Sequence, residues 1–285
     1  IFVCGALRER VARQWLAEGR KVHVVTRSQE RAEQFEQEKL LPIVADSLRP
    51  EELANLPEVD SVLFAVGWDR SGGDIQTVYQ RGVRNALAAT ANQSKQFIYI
   101  SSTGVYGSAD GGWVDEQTPP DPERAGGEAS LAAEQVLTDH AGPPHKAILR
   151  LAGIYGPGRV PFLERLRIGQ PLATPHQGWL NLIHVDDAAT VVVGVERWLR
   201  TQSPNATPHL FCVSDGNPVR RGDYYREAAQ LLGGPLPKFT QPPADSPAAS
   251  RARGSKRVRN DLLVQAIDPE FSYPDYRAGL AAILG

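Results

Sequence analysis

The stretch Lys95–Gly107, KQFIYISSTGVYG, decides the fold of this chain. Phe97–Ile100 is an unbroken run of β-branched and aromatic residues, which is typical of a strand that is covered on both faces. Three hydroxyl side chains, Ser101, Ser102 and Thr103, follow it directly. In an open α/β sheet, ligands bind at the carboxyl ends of the strands. The stretch therefore predicts a central strand that delivers hydroxyl groups to a binding site.

The residues before this stretch alternate between short apolar runs and helical patterns. Strands are predicted at Ile1–Cys4, Lys21–Val25, Leu40–Ala45 and Ser61–Val66, and helices at Leu7–Glu18, Gln29–Lys39, Pro50–Asn55 and Ile75–Thr90. Strands that alternate with helices at this spacing indicate βαβ units and a parallel sheet with helices on both faces. We therefore predict an α/β fold with a Rossmann-type, doubly wound parallel sheet.

The region after the central strand continues this pattern less regularly. Helices are predicted at Ala129–Asp139, Phe162–Gly169, Ala188–Leu199, Arg221–Leu232 and Tyr276–Leu284, and strands at Lys146–Leu151, Trp179–Ile183 and Leu210–Val213. We expect these later segments to complete the sheet and to form a small C-terminal lobe.

Composition narrows the class of protein. A net charge of −2 over 285 residues gives no bulk electrostatic attraction to nucleic acid or to an anionic membrane. No apolar run reaches the roughly 20 residues of a membrane-spanning helix. Cys4 and Cys212 lie in strand-like apolar contexts, which favours buried free thiols in a reducing compartment over a disulfide. We expect a cytoplasmic globular protein whose partner is a small molecule, with no nucleic acid and no membrane.

The turn after the first predicted strand bears on dinucleotide binding. Dinucleotide folds place glycines here, so that backbone N–H groups and the helix N-terminus reach the pyrophosphate. Only Gly5, followed by Ala6, is present, and the unit up to Gly19 is about three residues shorter than the usual fingerprint implies. Either the turn binds no dinucleotide, or residues of a phosphate loop are missing from the sequence. We favour the second interpretation because the rest of the unit is intact, and we keep Gly5 and Ala6 as cofactor-binding candidates.

The ends of the second and third strands supply further candidates. An acidic residue after the second strand would bind the adenosine ribose of NAD, but Arg27 and Ser28 stand there instead. A cation beside a hydroxyl suits a 2′-phosphate, so NADP is favoured over NAD; the alternative is that Arg27 is a solvated residue at a helix start. Asp46 either accepts a hydrogen bond from the adenine amino group or caps the next helix.

Small residues end the fourth strand, at Ala65, Val66 and Gly67. They would let a cofactor approach the backbone closely, although a tight turn would also need the glycine. Ser101 is likewise either a cofactor contact or a simple turn-former. We keep all four residues as cofactor-binding candidates.

Three segments resemble the extended short-chain dehydrogenases/reductases, the NAD(P)-dependent sugar epimerase/dehydratase group. Ile98–Gly107 resembles the fifth-strand motif of that family, Leu149–Gly158 its sixth-strand segment, and Asn181–Ala189 its later "hVdDla" segment. The resemblance implies a dinucleotide-binding Rossmann core over residues 1–153 and, over 154–285, segments that complete the sheet and form a smaller substrate lobe. It implies an NAD(P)-dependent oxidoreductase or epimerase/dehydratase-like enzyme that acts on a small hydroxyl or carbonyl substrate, sugar nucleotides included. A homodimer is common in the family.

The chain departs from that family at the catalytic pair. In the family, a Tyr is the acid/base and a Lys four residues later lowers its pKa, both on the helix after the fifth strand. Aligned on Leu131–Glu134, these positions fall on Gly126 and Ser130. Residues 108–153 contain no Tyr and residues 96–145 contain no Lys. The usual Tyr/Lys mechanism is therefore in doubt.

Other residues are candidates to replace the pair. Ser102 and Thr103 match the family's active-site hydroxyl position, and Tyr106 is the nearest phenol, so these three are our catalytic candidates. The alternative for Tyr106 is a packed aromatic ring whose hydroxyl bonds a backbone group. Tyr155 and Arg159 are the candidate substrate contacts.

We predict no metal site, because His184, Asp186 and Asp187 lie in a segment that is mainly structural in the family. The absent Tyr/Lys pair leaves a second function open: an NAD(P)-binding sensor or regulatory protein that has kept the fold and lost turnover.

Overall fold

Seven parallel strands form the central sheet of a computed structural model that describes residues 2–3, 6–68, 73–244, 246, 249 and 254–285. The strands of the chain are β1 (Phe2–Val3), β2 (His23–Thr26), β3 (Leu41–Val44), β4 (Ser61–Ala65), β5 (Gln96–Ser102), β6 (Trp113–Val114), β7 (His145–Leu151), β8 (Gly153–Tyr155), β9 (Leu172–Ala173), β10 (Trp179–Leu180), β11 (Leu182–His184), β12 (His209–Val213), β13 (Val219–Arg220), β14 (Phe239–Thr240) and β15 (Arg257–Val258).

The order of strands in this sheet is β12-β7-β5-β4-β1-β2-β3. The chain moves outward in one direction from β1 to β3 and then in the other from β4 to β12, so the order reverses between β1 and β4. Such a reversal opens a crevice at the carboxyl ends of the strands. The predicted α/β fold with a doubly wound parallel sheet is confirmed.

Nine helices are described. They are α1 (Ala6–Ala17), α2 (Gln29–Gln37), α3 (Ile75–Thr90), α4 (Ala125–Asp139), α5 (Leu163–Arg167), α6 (Val185–Leu199), α7 (Arg221–Leu231), α8 (Asp261–Ile267) and α9 (Tyr276–Leu284). Single 3₁₀ turns span Pro50–Leu53 and Thr103–Tyr106. Within these ranges no helix is both long and apolar enough to cross a membrane.

Helices cover both faces of the sheet. Helices α1 and α6 pack together on one face, and α3 and α4 pack together on the other. Phe97, Ile98 and Tyr99 alternate between the two cores, with Ile98 in the first and its two aromatic neighbours in the second. All three side chains are buried, so the apolar run in the sequence reflects a strand that is covered on both faces.

The C-terminal lobe has a core of its own. Tyr155, Leu172, Tyr224 and Leu280 are buried members of this cluster. Short strand pairs hold the lobe together: β8 with β11, β9 with β14, and β10 with β13. The strand β12, which lies in the later part of the chain, pairs with β7 and closes one edge of the main sheet.

Several predicted boundaries differ from the structure for local reasons. The central strand extends to Ser102 because Ser101 and Ser102 still pair with β7, opposite Arg150 and Leu151. The predicted helix at Pro50–Asn55 is only a 3₁₀ turn. Helix α4 begins at Ala125, four residues before the predicted start. Cys212 is a buried free thiol as predicted, and Cys4 lies outside the described residues.

Candidate active site

A cleft of about 180 Å³ lies at the carboxyl ends of β4 and β5, where α1 begins. Its lining residues are Ala6, Leu7, Ala65, Val66, Gly67, Tyr79, Ile100, Ser101, Ser102, Ser130, Ile154 and Arg159. Seven of them were named from the sequence: Ala6, Ala65, Val66, Gly67, Ser101, Ser102 and Arg159. The structure thus brings together residues from six separate segments at the crevice beside the strand reversal.

The lining of this cleft fits the nicotinamide end of a dinucleotide. Ala65 and Gly67 have little or no side chain, so a planar ring can approach the backbone at the end of β4. The first turn of α1 also faces the cleft through Ala6 and Leu7. A dinucleotide held there would supply hydride transfer. Gly5, the predicted pyrophosphate contact, lies outside the described residues.

The candidates for the adenosine end lie at the ends of β2 and β3. Arg27 is exposed at the end of β2. Ser28 is the N-cap of α2, and its Oγ accepts a hydrogen bond of 3.2 Å from the N–H of Arg31. Asp46 accepts a bond of 2.9 Å from the N–H of Leu48, so its carboxylate caps the turn that follows β3. This contact agrees with the capping alternative for Asp46. Arg27 is exposed at the same edge of the sheet.

The hydroxyl of Ser101 is a hydrogen-bond donor within the protein, whereas that of Ser102 is an acceptor. The Ser101 Oγ donates to the Oε1 of Glu134 at 2.5 Å, so only its lone pairs remain for a ligand. The Ser102 Oγ accepts from the N–H of Gly104 at 3.0 Å and keeps its own proton to donate. Ser101 can therefore accept from a substrate hydroxyl, and Ser102 can donate to a substrate carbonyl.

A buried ion pair fixes Ser101 from behind. Arg150 on β7 contacts both carboxylate oxygens of Glu134, with Nη2 at 2.6 Å from Oε2 and Nε at 3.0 Å from Oε1. Both side chains are at most 6% exposed. The guanidinium also lies over the ring of Tyr106, 4.8 Å from its centroid. The orientation of the Ser101 hydroxyl is thus set by a rigid charged group rather than by solvent.

The structure argues against Tyr106 as an acid/base group. Its side chain is 3% exposed, and its hydroxyl lies 3.0 Å from the Sγ of Cys212. Burial, with the neighbouring thiol, raises the pKa of Tyr106 far above that of an ordinary phenol, while burial raises the pKa of Cys212 to about 12. Neither Tyr106 nor Thr103 lines the cleft, so Ser102 is the catalytic candidate from the sequence that reaches it.

A second cleft of about 430 Å³ adjoins the first and lies against the C-terminal lobe. Both predicted substrate contacts, Tyr155 and Arg159, line it, together with Arg124, Asn181 and Arg221. No carboxylate is among its described lining residues. The Tyr155 hydroxyl donates to the carbonyl of Asp275 at 3.2 Å, which commits it to the fold. Three guanidinium groups therefore make this cleft electropositive.

Arg159 lines both clefts. Its side chain is exposed, and within the described part of the chain it makes no hydrogen bond and no ion pair. By contrast, the guanidinium of Arg221 donates to the carbonyls of Pro175 and Gln177, at 3.3 and 3.0 Å. Arg159 is thus the cation that a bound anion can engage without breaking a contact of the fold.

The segment that contains His184, Asp186 and Asp187 has structural contacts. The His184 Nδ1 accepts from the N–H of Asp186 at 3.3 Å and caps α6. The carboxylate of Asp187 accepts from the N–H groups of Ser272 and Tyr273, both at 2.9 Å. Among the described residues, no group of three or more His, Cys, Asp or Glu side chains could hold a metal ion.

Comparison with known proteins agrees with this geometry. The family described as the NAD dependent epimerase/dehydratase family matches residues 5–206. The chain is 32% identical over 235 residues to Protein YeeZ of Escherichia coli (strain K12), which covers 82% of this chain and 77% of that protein. The chain belongs to the NAD-dependent epimerase/dehydratase family.

Solved structures place this family member in the same fold. A functionally unknown conserved protein from Silicibacter pomeroyi DSS is 31% identical, with a TM-score of 0.81 over 99% of this chain and 96% of that one. The dTDP-glucose 4,6-dehydratase DesIV of Streptomyces venezuelae, solved with NAD and DAU bound, has a TM-score of 0.79 over 98% of this chain and 92% of that one. At 17% identity, this second likeness concerns the fold alone.

Helix α4 shows how this family member differs at the positions of the Tyr/Lys pair. Gly126, Ser130 and Glu134 follow each other at four-residue spacing, so they share one face of α4. The Ser130 Oγ donates to the carbonyl of Gly126 at 2.9 Å. Neither residue can hold or release a proton at neutral pH. These two positions of α4 therefore supply no acid/base group.

Three residues of this site were not among the candidates named from the sequence: Glu134, Arg150 and Tyr79. Glu134 and Arg150 carry charge within otherwise apolar patterns, which is a signal of a buried pair, but only the fold shows that they meet behind Ser101. Tyr79 carried no signal of its own, since an aromatic residue on the inner face of α3 reads as core.

Proposed function

We propose that this protein is an NAD(P)-dependent oxidoreductase or epimerase/dehydratase-like enzyme that acts on a small, anionic hydroxyl or carbonyl substrate. The observation that carries the proposal is that the two clefts meet: Ile154 and Arg159 line both of them. A ring bound in the smaller cleft would thus lie beside a substrate bound in the larger one. A cytoplasmic location and a homodimer remain predictions from the sequence and the family.

The polar groups around the junction support this assignment. Ser102 would donate to a carbonyl oxygen and Ser101 would accept from a hydroxyl, so both redox states of a substrate find a partner. Arg159 would bind the anionic group of the substrate. A guanidinium suits a carboxylate or a phosphate, because it offers two parallel N–H donors.

The first experiment tests cofactor and substrate binding separately. NADPH and NADH are titrated against the protein by fluorescence, and turnover is then screened with carbonyl compounds with and without an anionic group. R159Q should lower kcat/KM for the anionic substrates about 10- to 100-fold, the effect of one charge-assisted hydrogen bond, and leave dinucleotide affinity unchanged. R167Q is the matched control, because Arg167 pairs with Glu164 on the surface of α5. If neither dinucleotide binds, or if R159Q and R167Q behave alike, the proposal is wrong.

We also propose NADP over NAD, on the exposed position of Arg27 at the end of β2. R27Q should weaken NADPH binding about tenfold and leave NADH binding unchanged, since only NADPH carries the 2′-phosphate. Equal losses for both dinucleotides would point to a general effect on the fold.

An NAD(P)-binding sensor is the second candidate. It is favoured by one observation, the replacement of both proton-handling residues on α4 by Gly126 and Ser130. Tight dinucleotide binding without turnover of any carbonyl or sugar-nucleotide substrate would favour the sensor, whereas turnover that depends on Arg159 would favour the enzyme.

A further inference from the structure

Few of the described side chains that line the smaller cleft can transfer a proton. Among its described lining residues, only Tyr79 and Arg159 carry ionisable side chains. A guanidinium does not give up its proton in proteins. The serine hydroxyls can orient a substrate oxygen, but they do not hold a charge at neutral pH. Among the described lining residues, Tyr79 is therefore the one whose side chain can exchange a proton with a substrate.

The packing of α3 against α4 brings Tyr79 to the place where the family has its catalytic pair. A Cβ added at Gly126 would meet one side-chain atom, the Cδ1 of Ile75 on α3, at 3.8 Å. Tyr79 lies four residues after Ile75, one turn along the same face of α3. Ser130 lies one turn after Gly126 on α4, and Tyr79 and Ser130 line the same cleft.

The phenol of Tyr79 is close to the buried polar groups of this region. It is half-buried, and its hydroxyl accepts from the N–H of Trp68 at 3.4 Å. Tyr79 also interacts electrostatically with the hydroxyl of Tyr99. Burial raises the pKa of Tyr99, and Tyr79 and Glu134 raise it further. Tyr79 thus differs from Tyr106, which is sealed against Cys212.

We propose that Tyr79 is the proton donor and acceptor of this enzyme, moved from α4 to the neighbouring helix α3. The inference rests on the proposed function. In reduction, the carbonyl carbon gains a hydride from a reduced nicotinamide dinucleotide, and the carbonyl oxygen gains the phenolic proton of Tyr79. The products are the alcohol, the oxidised dinucleotide and a phenolate, which Arg159 at the same cleft stabilises until water reprotonates it. Oxidation runs through the same atoms in reverse.

The first test needs no substrate. The protein is labelled with ¹³C at the Cζ of its eight tyrosines, and the signal of Tyr79 is assigned as the one lost in both Y79F and Y79W. Addition of NADPH should shift the Tyr79 signal and leave that of the sealed Tyr106 in place. If the dinucleotide binds and the Tyr79 signal does not move, Tyr79 does not face the nicotinamide and the proposal is wrong.

The second test compares Y79F with Y106F on any substrate that the wild type converts. Y79F should lower kcat about 10²- to 10⁴-fold, the usual contribution of a general acid/base, with the dissociation constant of NADPH and the melting temperature unchanged. Y106F should keep kcat within a few-fold. Wild-type turnover that survives in Y79F overturns the role of Tyr79 and leaves the proposed function standing. Absence of any wild-type turnover counts against both.

Discussion

The buried pair of Glu134 and Arg150 allows a quantitative test of how this site is held. Replacing Arg150 with Met removes the guanidinium that contacts both oxygens of the Glu134 carboxylate. Among the described side chains, the buried carboxylate would then keep the hydroxyl of Ser101 as its hydrogen-bond donor. Replacing Glu134 with Leu leaves the Arg150 charge buried instead, against the face of Tyr106.

The expected cost follows from charge burial. Leaving one partner of a buried ion pair without the other typically costs about 3–5 kcal/mol. R150M should lie at the upper end of that range. E134L should lie at the lower end, because a cation over an aromatic ring at 4.8 Å regains about 1–2 kcal/mol. The double variant E134L/R150M buries no unpaired charge, so its loss should be smaller than either single loss.

The measurement is a double-mutant cycle from urea unfolding at pH 7, followed by both circular dichroism and tryptophan fluorescence. A control cycle uses D60N and K95Q, since the Asp60–Lys95 pair is exposed and should leave the unfolding midpoint unchanged. Additive single losses in the Glu134–Arg150 cycle, or single losses below about 1 kcal/mol, would refute the argument that this pair is a desolvated, coupled unit.

Two further predictions concern the glycines of α4 and a buried carboxyl group. In G127A the new Cβ would lie 2.5 Å from the carbonyl oxygen of Gly104, which should cost about 1–3 kcal/mol in thermal unfolding. G126A is the matched control, because its Cβ has room. This variant should be more stable than the wild type by up to about 1 kcal/mol, the difference in helix propensity between Ala and Gly. Equal changes of melting temperature in the two variants would contradict the packing argument. Burial raises the pKa of Asp215 to about 7. Between about pH 4 and 7, the carboxyl group is therefore protonated in the folded state and ionised in the unfolded state. The free energy of unfolding falls as the pH rises through this window. The side chain of D215N stays neutral, so the stability of this variant relative to the wild type should rise by up to about 1.4 kcal/mol per pH unit between pH 4 and 7. The measurement is the free energy of unfolding of both proteins at pH 5 and pH 8. A stability difference that does not change with pH would contradict the assigned pKa.

Local patterns were sufficient for the main elements of the fold. Helix α3 spans Ile75–Thr90 as predicted, because Asp74 caps its first turn by accepting from the N–H of Thr77 and an apolar stripe covers its inner face. The run Phe97–Ile100 marked β5, because a strand buried on both faces has no polar positions. Two-residue strands such as β6 and β15 are too short to show such a pattern, and only their pairing with each other in the fold identifies them as strands.

The residues of the site likewise divide into those that the sequence predicted and those that only the fold brought together. The sequence by itself determined that small residues and hydroxyl groups end β4 and β5, because parallel strands in this topology bring their carboxyl ends to one edge. Through its resemblance to the family, the sequence also predicted that Gly126 and Ser130 stand at the positions of the Tyr/Lys pair on α4. Only the tertiary structure decided which phenol faces the cleft: Tyr106 turns to Cys212, and Tyr79 reaches the cleft from α3. The reason is that local sequence sets the faces of each element, whereas the packing of α3 against α4 decides which of those faces meets the ligand.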